Sequence, residues 1–535
     1  MWDLSRRGFL STAAQGLAAL TVPGAEPGKT RIGLVASSHP KLAKPSPVED
    51  PLDYPRIRDM VWKAIEHGRP RAGSLGAKIR PGSWVVIKPN LVALPPRSTY
   101  RTGDVTDMRV IKAVLEYVAE KSRAGRITVA EGGSYRRIGD TTPDNVMRQN
   151  GAHVDALTCD WGEEFAGFKG TLGDVLKDVG ARFPARKFDY VDLAYDAVRD
   201  ESGQFKWMEV PRSPNGVGAF GEKKVYVPAN TIINCDFLIT VPVMKVHLMC
   251  GITASLKNYV GTAPRIVYTN QGGFSNNDLH SKHSLEGRID SFITDLAAFH
   301  PPDYCVVDAI RGLQHSEHRI DRPDQEVRSN LILAGEDPVA TDALIADIMG
   351  YQPSDIEYLH MASQRQMGTM DLRNVEVGGD EPDHVRRPWG KPKGWFGRCN
   401  RQWLLTQDAA ADLKAWARFT SPTDTLHLAR WQPPSSSTAT YKCAVRVVAE
   451  GTRKAFLWVG ARGRVTAFLN GEKVMDEEGA TRYRVGQFRN SVELRSGENL
   501  LVFELKPLAD QADLSALLTG PRNDGDTAEG IRWTV

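Results

Sequence analysis

The sequence predicts an α/β domain, a largely parallel sheet flanked by helices, followed by a C-terminal all-β sandwich of jelly-roll type. Three observations carry this. Between residues 84 and 349, short apolar runs of strand length alternate with segments of helical periodicity, the pattern of βα units. After residue 438, short strands separated by turn signals take over, as in β-sandwiches. Proline-rich breaks lie between the two, around 380–395 and at Gln432-Pro433-Pro434-Ser435-Ser436-Ser437, and such stretches mark boundaries.

In chain order, Trp84-Val85-Val86-Ile87 is apolar throughout and reads as a buried strand. Thr106 or Asp107 can cap a helix whose inner stripe is Ile111, Val114, Leu115 and Val118. Ile127-Thr128-Val129-Ala130 is a strand, and residues 133–230 read as a long insertion of mixed structure. Phe237-Leu238-Ile239-Thr240-Val241 is a strand, and Ile289, Phe292, Ile293 and Leu296 mark a helix face. Cys305-Val306-Val307 and Leu331-Ile332-Leu333-Ala334 are two more strands. Residues 337–349 form a helix with Pro338 in its permissive first turn. Residues 400–419 read as helical. In the tail, residues 441–448 alternate in part and residues 455–459 are apolar throughout. Val465, Ala467 and Leu469 lead into Asn470-Gly471, a hairpin turn signal. Val492-Glu493-Leu494 and Leu500-Leu501-Val502-Phe503 flank a turn at Ser496-Gly497-Glu498-Asn499.

A length of 535 residues suits three domains at about 100–200 residues each. An apolar share of 41% and a charged share of 25% are globular values and exclude disorder, collagen and coiled coil as the main architecture. A net charge of +3 is too balanced for a nucleic-acid binder acting by bulk electrostatics. No apolar run is long enough for a membrane span. The six cysteines, Cys159, Cys235, Cys250, Cys305, Cys399 and Cys443, contain no C-x-x-C pair, so no cysteine-ligated iron–sulfur cluster or zinc ribbon is expected.

The N-terminus reads Ser5-Arg6-Arg7-Gly8-Phe9-Leu10, then a mildly apolar stretch through Val22 and small residues at Gly24-Ala25. This resembles a twin-arginine signal peptide. It implies passage through the twin-arginine export machinery, cleavage near Ala25 and a periplasmic or otherwise exported mature chain. The expected plan is a signal over 1–25, the α/β domain over 26–380, a linker and helical connector over 381–437, and the sandwich over 438–535.

Polar groups fall where the strands end. In open parallel sheets, ligands bind beyond the carboxyl ends of the strands. Here the strands run into Lys88-Pro89-Asn90, Glu131-Gly132-Gly133, Lys245 and His247, Asp308, and Gly335-Glu336-Asp337. Parallel strands would bring these to one rim. Lys88, Asn90, Lys245, Lys257 and Asn258 are the candidate substrate-binding residues, because lysines supply point charge and amides orient an anion. His247, with Glu131 or Asp308, is the candidate for proton transfer. Lys245 and His247 lie at i, i+2, so an extended segment would point both to one side and Val246 to the other. No phosphate-binding P-loop, Rossmann fingerprint, G-x-S-x-G elbow or H-E-x-x-H follows. Two i, i+3 pairs, His280 with His283 and His315 with His318, could hold a divalent metal, although neither has a third ligand at a diagnostic spacing.

Four stretches together resemble the DUF362 family: Val86-Ile87-Lys88-Pro89-Asn90-Leu91-Val92, Pro242-Val243-Met244-Lys245-Val246-His247, Leu256-Lys257-Asn258-Tyr259-Val260-Gly261, and Asp337-Pro338-Val339-Ala340-Thr341-Asp342-Ala343. The resemblance covers about residues 30–375. It implies an α/β domain, often exported and sometimes fused to ferredoxin-type modules, of largely unknown biochemical role. This chain lacks the cysteines of such modules. It also has Arg311-Gly312-Leu313-Gln314-His315 where family members tend to be glycine-rich. The tail resembles galactose-binding-like sandwiches at Asn470-Gly471-Glu472-Lys473-Val474 and Gly497-Glu498-Asn499-Leu500-Leu501. Two readings stay open. One is an exported enzyme acting on an anionic substrate, carboxylated or phosphorylated and including saccharides. The other is a non-catalytic protein binding cell-envelope glycans or a metal.

Overall fold

The structure is a computed structural model. It describes residues 29–535 except 40–41, 43–52, 72, 92–102, 133–145, 150–151, 156–170, 222–223, 249, 269–288, 318–323, 354–355, 393–397, 409, 422–423, 437–438, 479–485, 509–511, 522 and 524–527. The export signal, Cys159, His280, His283 and His318 therefore lie outside the described residues.

Leaving aside two small hairpins within residues 146–226, the strands of the first domain begin in chain order with β1 (Thr30–Ala36), β2 (Trp84–Pro89), β3 (Arg126–Glu131), β4 (Lys187–Asp192) and β5 (Phe237–Val241). After them come a small hairpin, β6 (Lys245–His247) with β7 (Gly251–Thr253), then β8 (Tyr304–Leu313), β9 (Glu326–Gly335) and β10 (Val375–Gly379). Eight of them form one sheet in the order β10-β1-β9-β8-β5-β2-β3-β4. All neighbours are parallel except those of β9, which runs against both β1 and β8. The cause is local: Leu313 pairs with Glu326, so β8 and β9 are joined at adjacent ends, and such strands can only be antiparallel.

Helices α1 (Asp53–His67), α2 (Met108–Lys121) and α3 (Leu172–Arg182) cover one face. Helices α4 (Asp290–Ala297), α5 (Pro338–Ile348) and α6 (Glu357–Gln364) cover the other. This explains the unbroken apolar runs: Val85 and Ile87 join the core under α1–α3, while Val86 joins the core under α4–α6. A strand buried on both faces has no polar alternate. The caps are those expected. Asp107 accepts from the Arg109 N–H at the start of α2, and Asp337 accepts from the Ala340 N–H (2.8 Å) ahead of Pro338. Among the described residues no helix is long and apolar enough to cross a membrane.

The second domain is a β-sandwich. One sheet contains the strands at 402–406, 417–420, 441–449, 464–469, 472–477, 497–506 and 531–534; the other contains those at 426–427, 453–462, 488–494 and 513–519. The expectation of a helix over 400–419 is corrected here. Gln402–Thr406 pairs with Ala417–Thr420 on one side and with Tyr441–Ala449 on the other, and only Leu413–Ala415 forms a turn of 3₁₀ helix. The pairing buries Trp403 and Leu405, with Trp403 edge-on to Phe503 at 5.8 Å. Tertiary burial of this kind overrides local helical preference.

A buried charge cluster joins the two domains. The ring of His427, in the sandwich, lies between Asp513 (Nδ1 to Oδ1, 2.8 Å) and Glu357 at the start of α6 (Nε2 to Oε1, 3.0 Å). Burial opposes its charge, but the two carboxylates outweigh it and push the pKa up to about 10. Replacing His427 by Ala removes the cation shared by two buried carboxylates; Asp513 keeps its ion pair with Arg462 (3.3 Å), and Glu357 loses its ion pair with His427. Denaturant unfolding of His427→Ala is expected to show a loss of about 3–5 kcal/mol. A loss below about 1 kcal/mol, the worth of an exposed pair, would show that the clamp contributes little.

Candidate functional site

The carboxyl ends of β2, β3 and β5 meet under the segment that follows β5. Lys88 is only 2% exposed. Its ammonium donates to Glu131 Oε2 (2.9 Å), Asn258 Oδ1 (3.0 Å) and the Pro89 carbonyl (2.9 Å). Asn258 donates in turn to the Lys88 carbonyl (2.9 Å) and Thr240 Oγ1 (2.8 Å), and Asn90 Nδ2 approaches Asn258 Oδ1 at 3.4 Å. Glu131 accepts from the backbone of Leu91 (2.8 Å) and Gly132 (2.7 Å). Burial pulls the Lys88 pKa below its ordinary value against the opposing effect of Glu131. The 3₁₀ segment Lys257–Thr262 lies directly on this pair. A Cβ on Gly261 would stand 2.2 Å from Glu131 Oε1 and 2.6 Å from Lys88 Nζ, so only glycine lets the backbone approach. Four of the sequence candidates, Lys88, Asn90, Glu131 and Asn258, thus form one hydrogen-bonded group. The Asn90 side-chain oxygen is buried with no partner in it.

Beside this group stands the hairpin. Val246 joins the core between Lys245 and His247, as an extended segment requires. Lys245 is fully buried and pairs with Asp104 (2.7 Å). His247 Nδ1 lies 3.3 Å from Cys250 Sγ, and its Nε2 lies 3.5 Å from Glu317 Oε1. Glu317 Oε2 also accepts from the Leu248 N–H (2.6 Å). Lys257 is 4% exposed, and no hydrogen bond or ion pair ties its ammonium to another described residue. Burial first, then Lys245 and Lys88, lower its pKa against Cys250 and Glu317, to about 8. Lys257 therefore links the two groups electrostatically.

Asp308 anchors the foot of the hairpin. Its backbone exchanges hydrogen bonds with Met244 (2.8 Å) and Pro242 (2.9 Å). Its carboxyl accepts from the Asp107 N–H (2.8 Å) and the Ile310 N–H (3.1 Å). Burial, followed by the nearby Asp107, raises its pKa to about 7. Asp342 of α5 accepts from the N–H groups of Ser255 (2.7 Å) and Leu256 (3.0 Å), just before Lys257; burial pushes it to about 7 as well.

Not every sequence candidate reaches this rim. Gly335-Glu336-Asp337 lies at the opposite edge, because antiparallel β9 ends beside the start of β8, with Gly335 opposite Cys305. Glu336 pairs there with Lys78 (3.2 Å). His315 is bonded to Asp324 (3.2 Å). Among the described residues no group of three or more histidine, cysteine or acidic side chains is placed to hold a metal. Sequence reasoning missed Cys250, Glu317 and Asp342 as parts of the site. The His247-x-x-Cys250 spacing was readable; nothing local flagged Glu317.

A family model described as "Domain of unknown function (DUF362)" matches residues 185–347. The matched residues include Lys245, His247, Cys250, Lys257, Asn258, Asp308, Glu317 and Asp342. Lys88, Asn90 and Glu131 join them from earlier strands of the same sheet. No curated protein matches the chain. Among solved structures, 52% of the chain is similar to 52% of the lactate racemase apoprotein from Thermoanaerobacterium thermosaccharolyticum, at 14% identity and a TM-score of 0.26. A family 35 carbohydrate binding module from an environmental isolate is matched by 19% of the chain over 74% of its own length, at 16% identity and a TM-score of 0.14. The chain spans only 15% of the β-glucosidase from Kluyveromyces marxianus, covering 22% of itself, at 10% identity and a TM-score of 0.17.

The buried carboxyls of the first domain set a pH dependence. Burial raises the pKa of Asp308 and Asp342 to about 7 and that of Asp295 to about 6. A raised acid contributes stability that is complete below its unfolded pKa, near 4, and is lost as pH rises through the folded value. The thermal midpoint is therefore expected to fall from about pH 4 through about pH 7. A midpoint that climbs across this window would mean that these three groups are ionised in the fold.

Proposed function

We propose that the chain is an exported enzyme whose DUF362 domain binds an anionic substrate, carboxylated or phosphorylated and including saccharides, at the rim of the parallel sheet. The observation that supports this is Lys257. Most of the other cations at the rim have a counter-ion: Lys88 has Glu131 and Lys245 has Asp104. Lys257 is nearly as deeply buried, and no ion pair joins it to another described residue, Glu317 acting on it only at longer range. An uncompensated charge taken out of water costs several kcal/mol, and a ligand anion would relieve that cost. The unpartnered oxygen of Asn90 offers an acceptor for a hydroxyl of the same ligand. Lys88, Asn258 and Glu131 keep the floor of the site in place. His247 and Asp308 are the groups able to exchange protons near neutral pH.

Inorganic phosphate and succinate, tested separately, distinguish a phosphate from a carboxylate ligand. The preferred anion is expected to raise the thermal midpoint of the folded chain, more at pH 7 than at pH 9, because Lys257 loses its proton near pH 8. Lys257→Met should weaken that anion about 10- to 100-fold, the worth of a charged hydrogen bond. It should leave the unliganded midpoint equal or higher, since a buried charge is gone. Equal binding of both anions by wild type and Lys257→Met would refute the site.

The export half of the proposal rests on Arg6 and Arg7. Replacing both by Lys should hold the chain in the cytoplasm on cell fractionation; unchanged export would remove the twin-arginine reading.

A further inference from the structure

Resting on the rim as a binding site, we infer that Cys250 is a nucleophile that takes an acyl group from an ester or amide. In this reaction His247 is its base, Glu317 positions the imidazole, and Lys257 serves the carbonyl oxygen that turns negative. The hairpin builds the pair. β6 ends at His247 and β7 begins at Gly251, which stands opposite His247 with a left-handed φ of 91°; this reversal returns Cys250 to the His247 ring, with Sγ at 3.3 Å from Nδ1. Glu317 stands at the other ring nitrogen (3.5 Å) and is itself pinned to the hairpin by the Leu248 N–H (2.6 Å). Leu248, two residues before the thiol, is 48% exposed, whereas Cys250 itself is fully buried. Lys257 lies within electrostatic reach of both Cys250 and Glu317 and is tied to no other described residue.

A thiol used only for packing needs none of this. Cys443, in the sandwich core, is perturbed by burial alone. Each of the two His-facing thiols also reaches a backbone carbonyl, Cys250 that of Ile252 (3.5 Å) and Cys235 that of Ile232 (3.4 Å), but the pair of Cys235 with His300 is looser, at 3.8 Å, and lies before the start of β5 rather than beyond its end.

The chemistry closes without an added oxidant or reductant. His247 takes the thiol proton, Sγ bonds to the carbonyl carbon, and the C=O pair moves to oxygen beside the Lys257 ammonium. The C–O or C–N bond then breaks, and His247 returns its proton to the departing alcohol or amine, leaving a thioester. Water, losing a proton to His247, adds to the thioester. The C–S bond breaks, a carboxylic acid leaves, and the thiol regains its proton.

The test uses the full chain with p-nitrophenyl acetate, p-nitrophenyl hemisuccinate and iodoacetamide, with digestion and mass spectrometry to locate the label. A nitrophenol burst of about one equivalent with the acyl group on Cys250 is expected, and neither burst nor label in Cys250→Ser or Cys250→Ala. His247→Gln should slow labelling by about 100-fold, within the usual range for a lost base. Lys257→Met should reduce the burst more than the iodoacetamide rate, since alkylation loses only the nearby positive charge and acylation also loses the partner of the carbonyl oxygen. The charges facing the pair are Glu317, Lys257 and Lys245 with its partner Asp104. Glu317→Gln removes the anion that favours the imidazolium, so the pH midpoint of alkylation should rise, a shift that a purely structural carboxylate would not cause. An unlabelled Cys250 in the folded chain, or label on Cys235 in its place, overturns the proposal. Phosphate or succinate binding that survives in Cys250→Ser leaves the anion site standing on its own.

Discussion

An ammonium and a carboxylate that cannot reach water hold the rim of the sheet together. Lys88 and Glu131 lie on neighbouring strands, both almost fully buried, and meet at 2.9 Å. Neither would be tolerated there alone, since breaking a buried pair leaves an uncompensated charge. The remaining valences of both groups are therefore filled by what surrounds them: the Pro89 carbonyl, the Asn258 amide and the N–H groups of Leu91 and Gly132. Gly261 completes the arrangement by bringing backbone where no side chain fits. The path of the chain from residue 242 to 262 follows from these requirements.

On that floor, each further charge has an assigned partner. Lys245 is met by Asp104, and the carboxyls of Asp308 and Asp342 receive backbone N–H groups from the segments they anchor. Asp342 fixes the two residues immediately before Lys257, so helix α5, on the face of the sheet, sets the position of a side chain at its rim. Lys257 stands apart: no ion pair joins its ammonium to another described residue. A rim that holds its own charges so tightly is preorganised, as the proposed anion site requires. The sandwich is fastened at a distance from this rim by the His427 ring between Glu357 and Asp513, another charge balanced across a boundary in the chain.

The strands were legible because a strand buried on both faces leaves an unbroken apolar run, as at Trp84-Val85-Val86-Ile87 and Phe237-Leu238-Ile239-Thr240-Val241. The polar residues following β2, β3 and β5 were legible for a related reason: a buried strand that turns polar has reached an edge. Direction was not legible. Leu331-Ile332-Leu333-Ala334 reads like its parallel neighbours, yet β9 is reversed by its hairpin with β8, so Glu336 faces the other end of the sheet. Residues 400–419 carry a helical texture, and the free edge of the sandwich sheet overruled it by offering backbone partners to Gln402–Thr406.

The sequence by itself determined the buried strands β2, β3, β5, β8 and β9, which lysines, amides and acids follow them, and that Val246 is buried between Lys245 and His247. These follow from periodicity and local geometry, which act over a few residues. Only the tertiary structure decided who meets whom. Glu131 neutralises Lys88 across 43 positions, Glu317 reaches His247 from the loop beyond β8, and Glu357 reaches His427 from the other domain. Electrostatic partners are chosen by distance in space and by the loss of water around them, and neither leaves a mark on the spacing of residues along the chain.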